Sequence, residues 1–224
     1  MTSAHVAFIG GTGLYEVESL DQAEAVCIDT PFGAPSDTIV VGRLNGISVA
    51  FLPRHGRDHI HTPSRLPSRA NIYALKVLGV QRIISVNAVG SLNAEVQTRD
   101  IVVPNQIIDR TRGRVSTFFD SGPVGYIGFA DPFCAELSSL LANAATETRL
   151  TVHREGTMVV IEGPAFSTRA ESRLYQAWGG TIVGMTALPE AKLAREAEMC
   201  YASLSLVTDR DSWANDDAVS VNVI

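Results

Sequence analysis

The sequence predicts an α/β fold, a mixed and mostly parallel twisted sheet flanked by helices. Three observations predict it. Short runs rich in Val and Ile alternate along the chain with longer stretches that read as helices. Glycine, proline or asparagine punctuates the junctions between them. One Asn-Gly pair between two β-rich runs adds an antiparallel hairpin near the start. No repeat, low-complexity block or Pro/Gly/Ser-rich linker divides the chain, so one domain over residues 1–224 is expected.

The elements follow in order. Val6 to Ile9 reads as a buried strand entering the turn Gly10-Gly11-Thr12-Gly13. Thr38 to Arg43 and Ile47 to Leu52 are strands around Leu44-Asn45-Gly46. Ser68 is placed as the cap of a helix from Arg69 to Leu78, closed by Gly79. Arg82 to Val86 is the next strand, followed by Asn87-Ala88-Val89-Gly90. Asp100 to Val103 and Gln106 to Ile108 are further strands, interrupted by Pro104. Asp131-Pro132 opens a helix running to about Thr146, since proline suits the first helical position. Thr157 to Ile161 is a strand ending in Glu162-Gly163-Pro164, and Thr168 to Trp178 a helix stopped by Gly179-Gly180. Ile182 to Met185 is a strand, Pro189 to Glu198 a helix, and Tyr201 to Val207 a strand.

Composition narrows the class. Hydrophobic residues make up 46%, enough for a sizeable core, and the formal net charge of -6 argues against a nucleic-acid surface. Cys27, Cys134 and Cys200 lack the spacing of a metal pair and read as reduced thiols. The first residues lack a basic stretch ahead of a signal-like apolar run, and 18 consecutive apolar residues occur nowhere. The expectation is a cytoplasmic protein, with the nucleus as the alternative, and no membrane partner.

In open α/β sheets ligands gather at the carboxyl ends of the strands, and the polar clusters fall there. Gly10-Gly11-Thr12-Gly13 is either a plain tight turn or a nest of amides for an anion. Glu16 occupies the position where a dinucleotide fingerprint needs glycine, and a Gly-Lys-Ser/Thr of a Walker loop is lacking. Pro53-Arg54-His55-Gly56-Arg57 is a solvated basic loop or a phosphate fork. His55, His59 and His61 invite a zinc reading, but Pro53 and Pro63 crowd the segment and the Glu of a zinc-protease motif is missing. Thr208-Asp209-Arg210-Asp211 is an ordinary acidic loop or a carboxylate pair. As a pair, alternation aims both side chains one way and their proximity raises one pKa into the range of a general acid. Phe166, beside Ser167, is a core aromatic or a stacking surface for a flat ligand.

Taken together and in order, the clusters resemble a known family. Gly10-Gly11-Thr12-Gly13-Leu14, Arg54-His55-Gly56, Ser68-Arg69-Ala70-Asn71-Ile72, Asn87-Ala88-Val89-Gly90-Ser91-Leu92, Glu162-Gly163-Pro164-Ala165-Phe166-Ser167, Met185-Thr186 and Thr208-Asp209-Arg210-Asp211 resemble the motifs of the trimeric purine nucleoside phosphorylases. Within that class they are most similar to the methylthioadenosine phosphorylases. Each motif alone is weak; seven in order are specific, and they span the chain from about Val6 to its last residue.

The resemblance implies a pentosyltransferase of purine and methionine salvage. Phosphate attacks the anomeric carbon of the nucleoside, adenine leaves, and 5-methylthioribose 1-phosphate forms. Phosphate is a co-substrate, and neither metal nor organic cofactor is implied. By resemblance, Thr12, Arg54, His55, Ala88 and Thr186 surround the phosphate, with Asn87 beside them. Met185 lies under the ribose, and Phe166 and Ser167 line the base pocket. Asp209 protonates or holds N7, with Asp211 near the 6-amino group. Val219, Val221 and Val223 offer an apolar lining for a methylthio group where 6-oxopurine relatives place a histidine. A homotrimer is implied, with a neighbouring subunit completing each pocket.

Two departures set the alternatives. Asn87 stands where many methylthioadenosine enzymes carry Ser or Thr and where 6-oxopurine relatives carry Asn, so a 6-oxopurine nucleoside or methylthioinosine phosphorylase is the first alternative. The family continues into a C-terminal helix that this sequence lacks after Ile224, so an inactive, nucleoside-binding member is the second.

Overall fold

In the computed structural model, residues 3–11 and 20–214 are described. Eleven strands form one mixed sheet. Its main path runs β2 (Asp21–Val26), β3 (Ile39–Leu44), β4 (Ile47–Pro53), β1 (Val6–Gly10), β5 (Arg82–Ser91), β10 (Ile182–Gly184), β9 (Thr157–Ile161) and β7 (Gln106–Arg110). β11 (Cys200–Arg210) lies beside β5 and carries β6 (Ile101–Val102), which in turn pairs β8 (Val152–His153). Six of these ladders are parallel and four antiparallel.

β5 is the centre. Its first residues pair β1 on one side and β11 on the other, and Gly90 and Ser91 pair β10. A strand flanked on both edges and covered by helices is expected to be apolar. β5 and β11 are instead interrupted by Ser85, Asn87, Ser203 and Ser205, all buried. Such groups must find partners inside, and they do so at the site.

The Asn-Gly hairpin forms as expected. Leu44 pairs Ile47 around Asn45 (φ 49°) and Gly46 (φ 80°), both in the left-handed region that a two-residue turn requires. α3 (Arg169–Ala177) starts on a capping box in which the Glu171 amide donates to Thr168 Oγ1 and the Thr168 amide donates to the Glu171 carboxylate. α4 (Ala187–Glu196) is kinked at Leu188, ahead of the cis Leu188–Pro189 bond.

Several expectations are corrected. α1 (Ser68–Val77) has Pro67 at its cap, without a side-chain cap bond, so Ser68 is the first helical residue. α2 (Ala135–Thr146) starts at Ala135 and not at Pro132, because the Cys134 amide is drawn to the Tyr201 carbonyl at 2.8 Å. Asn87 to Gly90 lie inside β5, and Thr208 to Arg210 inside β11, not in loops after them. The cysteines are not all reduced. Cys134 at the cap of α2 and Cys200 at the start of β11 stand 5.3 Å apart at Cα and form a disulfide, while Cys27 is free and exposed.

One irregularity positions the site. Along β11, Val207 pairs Val89 and Asp209 pairs Gly90, so Thr208 is an extra residue, a β-bulge. Beyond it, Asp209 and Asp211 share the face of Gly90, whereas Ser203 and Ser205 upstream share that of Asn87.

Candidate active site

Three groups of side chains meet at the carboxyl ends of β1, β4, β5, β9, β10 and β11. The first centres on Arg54, directly after β4, whose amide donates to the Gly10 carbonyl at 2.9 Å. Its side chain turns inward and is buried. Nε donates to Glu190 Oε1 at 2.6 Å, Nη1 to the Val86 carbonyl at 3.0 Å, and Nη2 to the Ile9 carbonyl at 3.1 Å and Ser85 Oγ at 2.6 Å. Glu190 Oε2 also accepts from Ser85 Oγ at 3.2 Å and from the Tyr201 hydroxyl at 2.9 Å. Burial and the adjacent Glu190 push the Tyr201 hydroxyl well above its ordinary pKa, which keeps it a donor. Much of the guanidinium fork is therefore spent on protein acceptors, and its charge is balanced by a buried carboxylate.

Asn87 extends this network. Its Nδ2 donates to Ser203 Oγ at 2.8 Å and Ser85 Oγ at 3.1 Å, and its Oδ1 accepts from Thr186 Oγ1 at 2.8 Å. Asn87 thereby holds the hydroxyl of Thr186, which stands just ahead of α4 without a side-chain cap bond to it. Ala88 is exposed. His55 is buried, donates from Nδ1 to the His61 carbonyl at 2.8 Å, and stacks on His59 with centroids 4.3 Å apart. Burial, with Arg54 and His59 adding repulsion against the His61 carbonyl, lowers its pKa to about 4. His55 is neutral at pH 7, with Nδ1 as donor and Nε2 as acceptor. Gly10 and Gly11 reach the same end of the sheet; Thr12 lies outside the described residues.

The second group is the carboxylate pair. A Cβ at Gly90 would lie 3.0 Å from Asp209 Oδ2 and 3.3 Å from Asp211 Cβ, so only glycine lets both acids approach β5. Asp209 Oδ1 accepts from Thr208 Oγ1 at 2.8 Å. Burial raises the Asp209 pKa, Asp211 raises it further, and Thr208 opposes both. Burial likewise raises that of Asp211, opposed by the Ser172 hydroxyl and the Ser212 amide. Among the described residues, Asp211 Oδ2 and Ser167 Oγ are buried and make no hydrogen bond. A native fold rarely leaves such atoms unanswered. Phe166 is half-buried next to them.

The third group lies between β9 and β10. Met185 packs against Leu92, Val159, Ile161, Tyr175 and Val183. Gly163 has φ +63° and precedes a cis proline; a Cβ there would meet Met185 Sδ at 2.5 Å. Arg114 ties these segments together. Its Nε donates to Glu162 Oε2 at 3.1 Å, Nη1 to the Met185 and Leu188 carbonyls at 2.7 Å each, and Nη2 to the Ile161 and Glu162 carbonyls at 3.3 and 2.5 Å.

The structure thus brings together Arg54, His55, Asn87, Thr186, Met185, Phe166, Ser167, Asp209 and Asp211, while Val219, Val221 and Val223 lie, like Thr12, outside the described residues. Sequence reasoning missed Glu190 and Arg114. Glu190 carried a signal, an acid spaced at one helical turn from Ala187, Leu193 and Ala194 on a buried face. Arg114 carried none, being one of several arginines in an irregular stretch.

Comparison with known proteins places this geometry. A family model described as the phosphorylase superfamily matches residues 5–223. The S-methyl-5′-thioadenosine phosphorylase of Synechocystis sp. is 56% identical over 228 aligned positions, covering 100% of this chain and 70% of the relative. That of Thermosynechococcus vestitus is 55% identical over 226, covering 99% and 78%. Among solved structures, a methylthioadenosine phosphorylase from an Antarctic soil metagenomic library superposes with a TM-score of 0.95 at 51% identity, covering 99% of this chain and 79% of the other. A methylthioadenosine phosphorylase from Schistosoma mansoni in complex with adenine gives 0.93 at 39% identity, covering 99% and 84%.

Proposed function

The chain belongs to the phosphorylase superfamily, and from that membership we propose that it cleaves S-methyl-5′-thioadenosine with phosphate to adenine and 5-methylthioribose 1-phosphate. Similarity along the whole chain to relatives of that one activity carries the reading. The reaction is a pentosyl transfer: a phosphate oxygen forms a bond to the anomeric carbon as the bond to the purine nitrogen breaks and its electrons pass into the base.

The side chains fit these demands. The leaving base becomes negative, and a general acid at N7 relieves it. Asp209, whose carboxyl burial and Asp211 hold above its ordinary pKa, is the acid we assign. Two neighbouring carboxyls sharing one proton give a donor and an acceptor together. Asp211 Oδ2 and Ser167 Oγ, buried and without a hydrogen bond among the described residues, are the partners we assign to the base edge, the carboxylate accepting from the 6-amino group. A 6-oxopurine offers an acceptor there and leaves Asp211 unpaired.

At the other end, Gly10 and Gly11, Thr12, His55, Ala88 and Thr186 are the residues assigned to phosphate, on the platform that Arg54, Glu190 and Asn87 form beneath them. Glu190 already balances the Arg54 charge, so the phosphate keeps the electron density it needs as nucleophile and as counter-charge to the cationic sugar. Met185 supports the ribose, and Val219 and Val221 line the methylthio end. No metal or organic cofactor takes part in this scheme.

Among the described residues, no helix is long and apolar enough to cross a membrane. The cytoplasm is the compartment proposed, and a homotrimer the assembly. Phe119, Val124 and Tyr126, which the segment after Arg114 presents to solvent, supply an apolar contact surface for a neighbouring subunit. Assaying adenine release from methylthioadenosine with and without phosphate tests the reaction, with adenosine and inosine run alongside. Release that ignores phosphate, or a preference for inosine, overturns it.

A further inference from the structure

Arg114 has five N–H donors, and each has an acceptor: the Glu162 carboxylate and the carbonyls of Ile161, Glu162, Met185 and Leu188. β9 and β10 pair from Ile182 opposite Met158 to Gly184 opposite Val160, and past that point their chains part. One branch becomes Glu162 to Ser167, the other Met185 and the first turn of α4. Arg114 sits in the fork and takes over where the ladder ends. Its own segment is pinned from the same side, since the Arg112 amide donates to Glu162 Oε2 at 2.7 Å. Its side chain is only 5% exposed.

The geometry points to Arg114 as a positioning residue that sets the distance between the base loop at Gly163–Ser167 and the sugar floor at Met185. This rests on the reading of those two segments as the nucleoside pocket. The chemistry singles out arginine: a planar fork can reach carbonyls on two diverging chains, whereas the lysine ammonium, a compact charge with three donors, cannot span them. Arg114 bonds the backbone at Ile161 and Glu162, where the base loop begins, and at Met185 and Leu188 on the other branch. Losing the fork lets the two walls of the pocket drift apart while the platform around Arg54 and Asn87, built on β1, β4 and β5, keeps its own bonds.

The test is a pair of titrations on Arg114→Lys and Arg114→Met, with methylthioadenosine and with phosphate, on variants shown by their melting curves to be folded. The nucleoside Kd is expected to rise by about tenfold or more and kcat to fall, because small misplacements of positioned groups cost about 10–100-fold. The phosphate Kd is expected to rise much less, by about two- to threefold, because Thr186, although flanked by the Met185 and Leu188 carbonyls that Arg114 holds, stays bonded to Asn87. Glu162→Gln, which weakens one of the five bonds, is expected to move the nucleoside Kd the same way by about threefold. A nucleoside Kd unchanged in folded Arg114→Met overturns the inference, as does equal weakening of both ligands in step with a lower Tm. The wild type's phosphate-dependent adenine release, assayed beside them, judges the reaction itself, while the titrations judge Arg114 by binding alone.

Discussion

Arg54, Glu190, Ser85, Asn87, Ser203 and Tyr201 bond one another beneath the proposed phosphate end of the site, whereas at the proposed base end Asp211 Oδ2 and Ser167 Oγ are buried without a hydrogen bond among the described residues. The two ends are a few residues apart on the same strands, β5 and β11. The first is a finished structure before any ligand arrives, and its cost was met on folding. The second holds its cost open, in the form of desolvated oxygens that a ligand can satisfy. Under the proposed function, affinity for an anion then comes from a rigid platform, and selectivity for a base from groups that are penalised when left alone.

That contrast can be broken in order of effect. Asp209→Asn removes the proposed acid with little change of shape, and kcat/KM is expected to fall by about 10²–10⁴ with Tm nearly unchanged; steady-state kinetics beside a melting curve would show it. At the other end the signs exchange. Glu190→Ala strands the buried Arg54 charge and is expected to cost about 3–5 kcal/mol of stability, read from denaturant titration; a loss below about 1 kcal/mol would mean that water already reaches the pair.

A smaller effect separates the ends by pH. His55 has a folded pKa of about 4 against 6.5 for the free side chain, so between those values the unfolded chain binds the extra proton. The stability that neutral His55 supports is whole above pH 6.5 and is lost as pH falls toward 4. His55→Gln should flatten that part of a plot of Tm against pH. The raised pKa values of Asp209 and Asp211 act with opposite sign: they cost stability as pH rises above the usual carboxylate range and cost nothing below it. Asp211→Asn is the smallest change. It should stabilise the protein by up to about 1 kcal/mol at pH 7 and by less at pH 4, while nucleoside affinity drops about tenfold. A variant that lost both stability and affinity would refute the idea that this end stores its cost.

The elements that a sequence can announce are those whose signal is local. The strands from Val6, Ile47, Arg82 and Thr157 and the helix beginning at Thr168 were legible because apolar runs, Asn-Gly and the Gly179-Gly180 stop act within a few residues. β2 was not, because Asp21-Gln-Ala-Glu-Ala-Val lacks an apolar run, is exposed along most of its length and forms an edge held by its pairing with β3. The Cys134–Cys200 bond spans 66 residues, and only the docking of α2 on β11 reveals it. The site divides the same way. Its clusters sit at strand ends and could be ordered along the chain, but the inward turn of Arg54 depends on Glu190, 136 residues away. The bulge at Thr208 leaves no trace in the alternation of residues.

The bulge carries a stereochemical consequence. The two oxygens of a free carboxyl are equivalent, and either can hold the acid proton. In Asp209 they are not, because Thr208, the extra residue, donates its hydroxyl to Oδ1. Oδ1 meets the Thr208 hydroxyl, which also reaches the Val89 carbonyl at 3.3 Å, whereas Oδ2 faces the missing side chain of Gly90. One added residue in a strand gives the side chain a handedness: one oxygen is turned to Thr208 and the other to Gly90, and under the proposed function a proton delivered from Oδ2 would reach the base from that side alone.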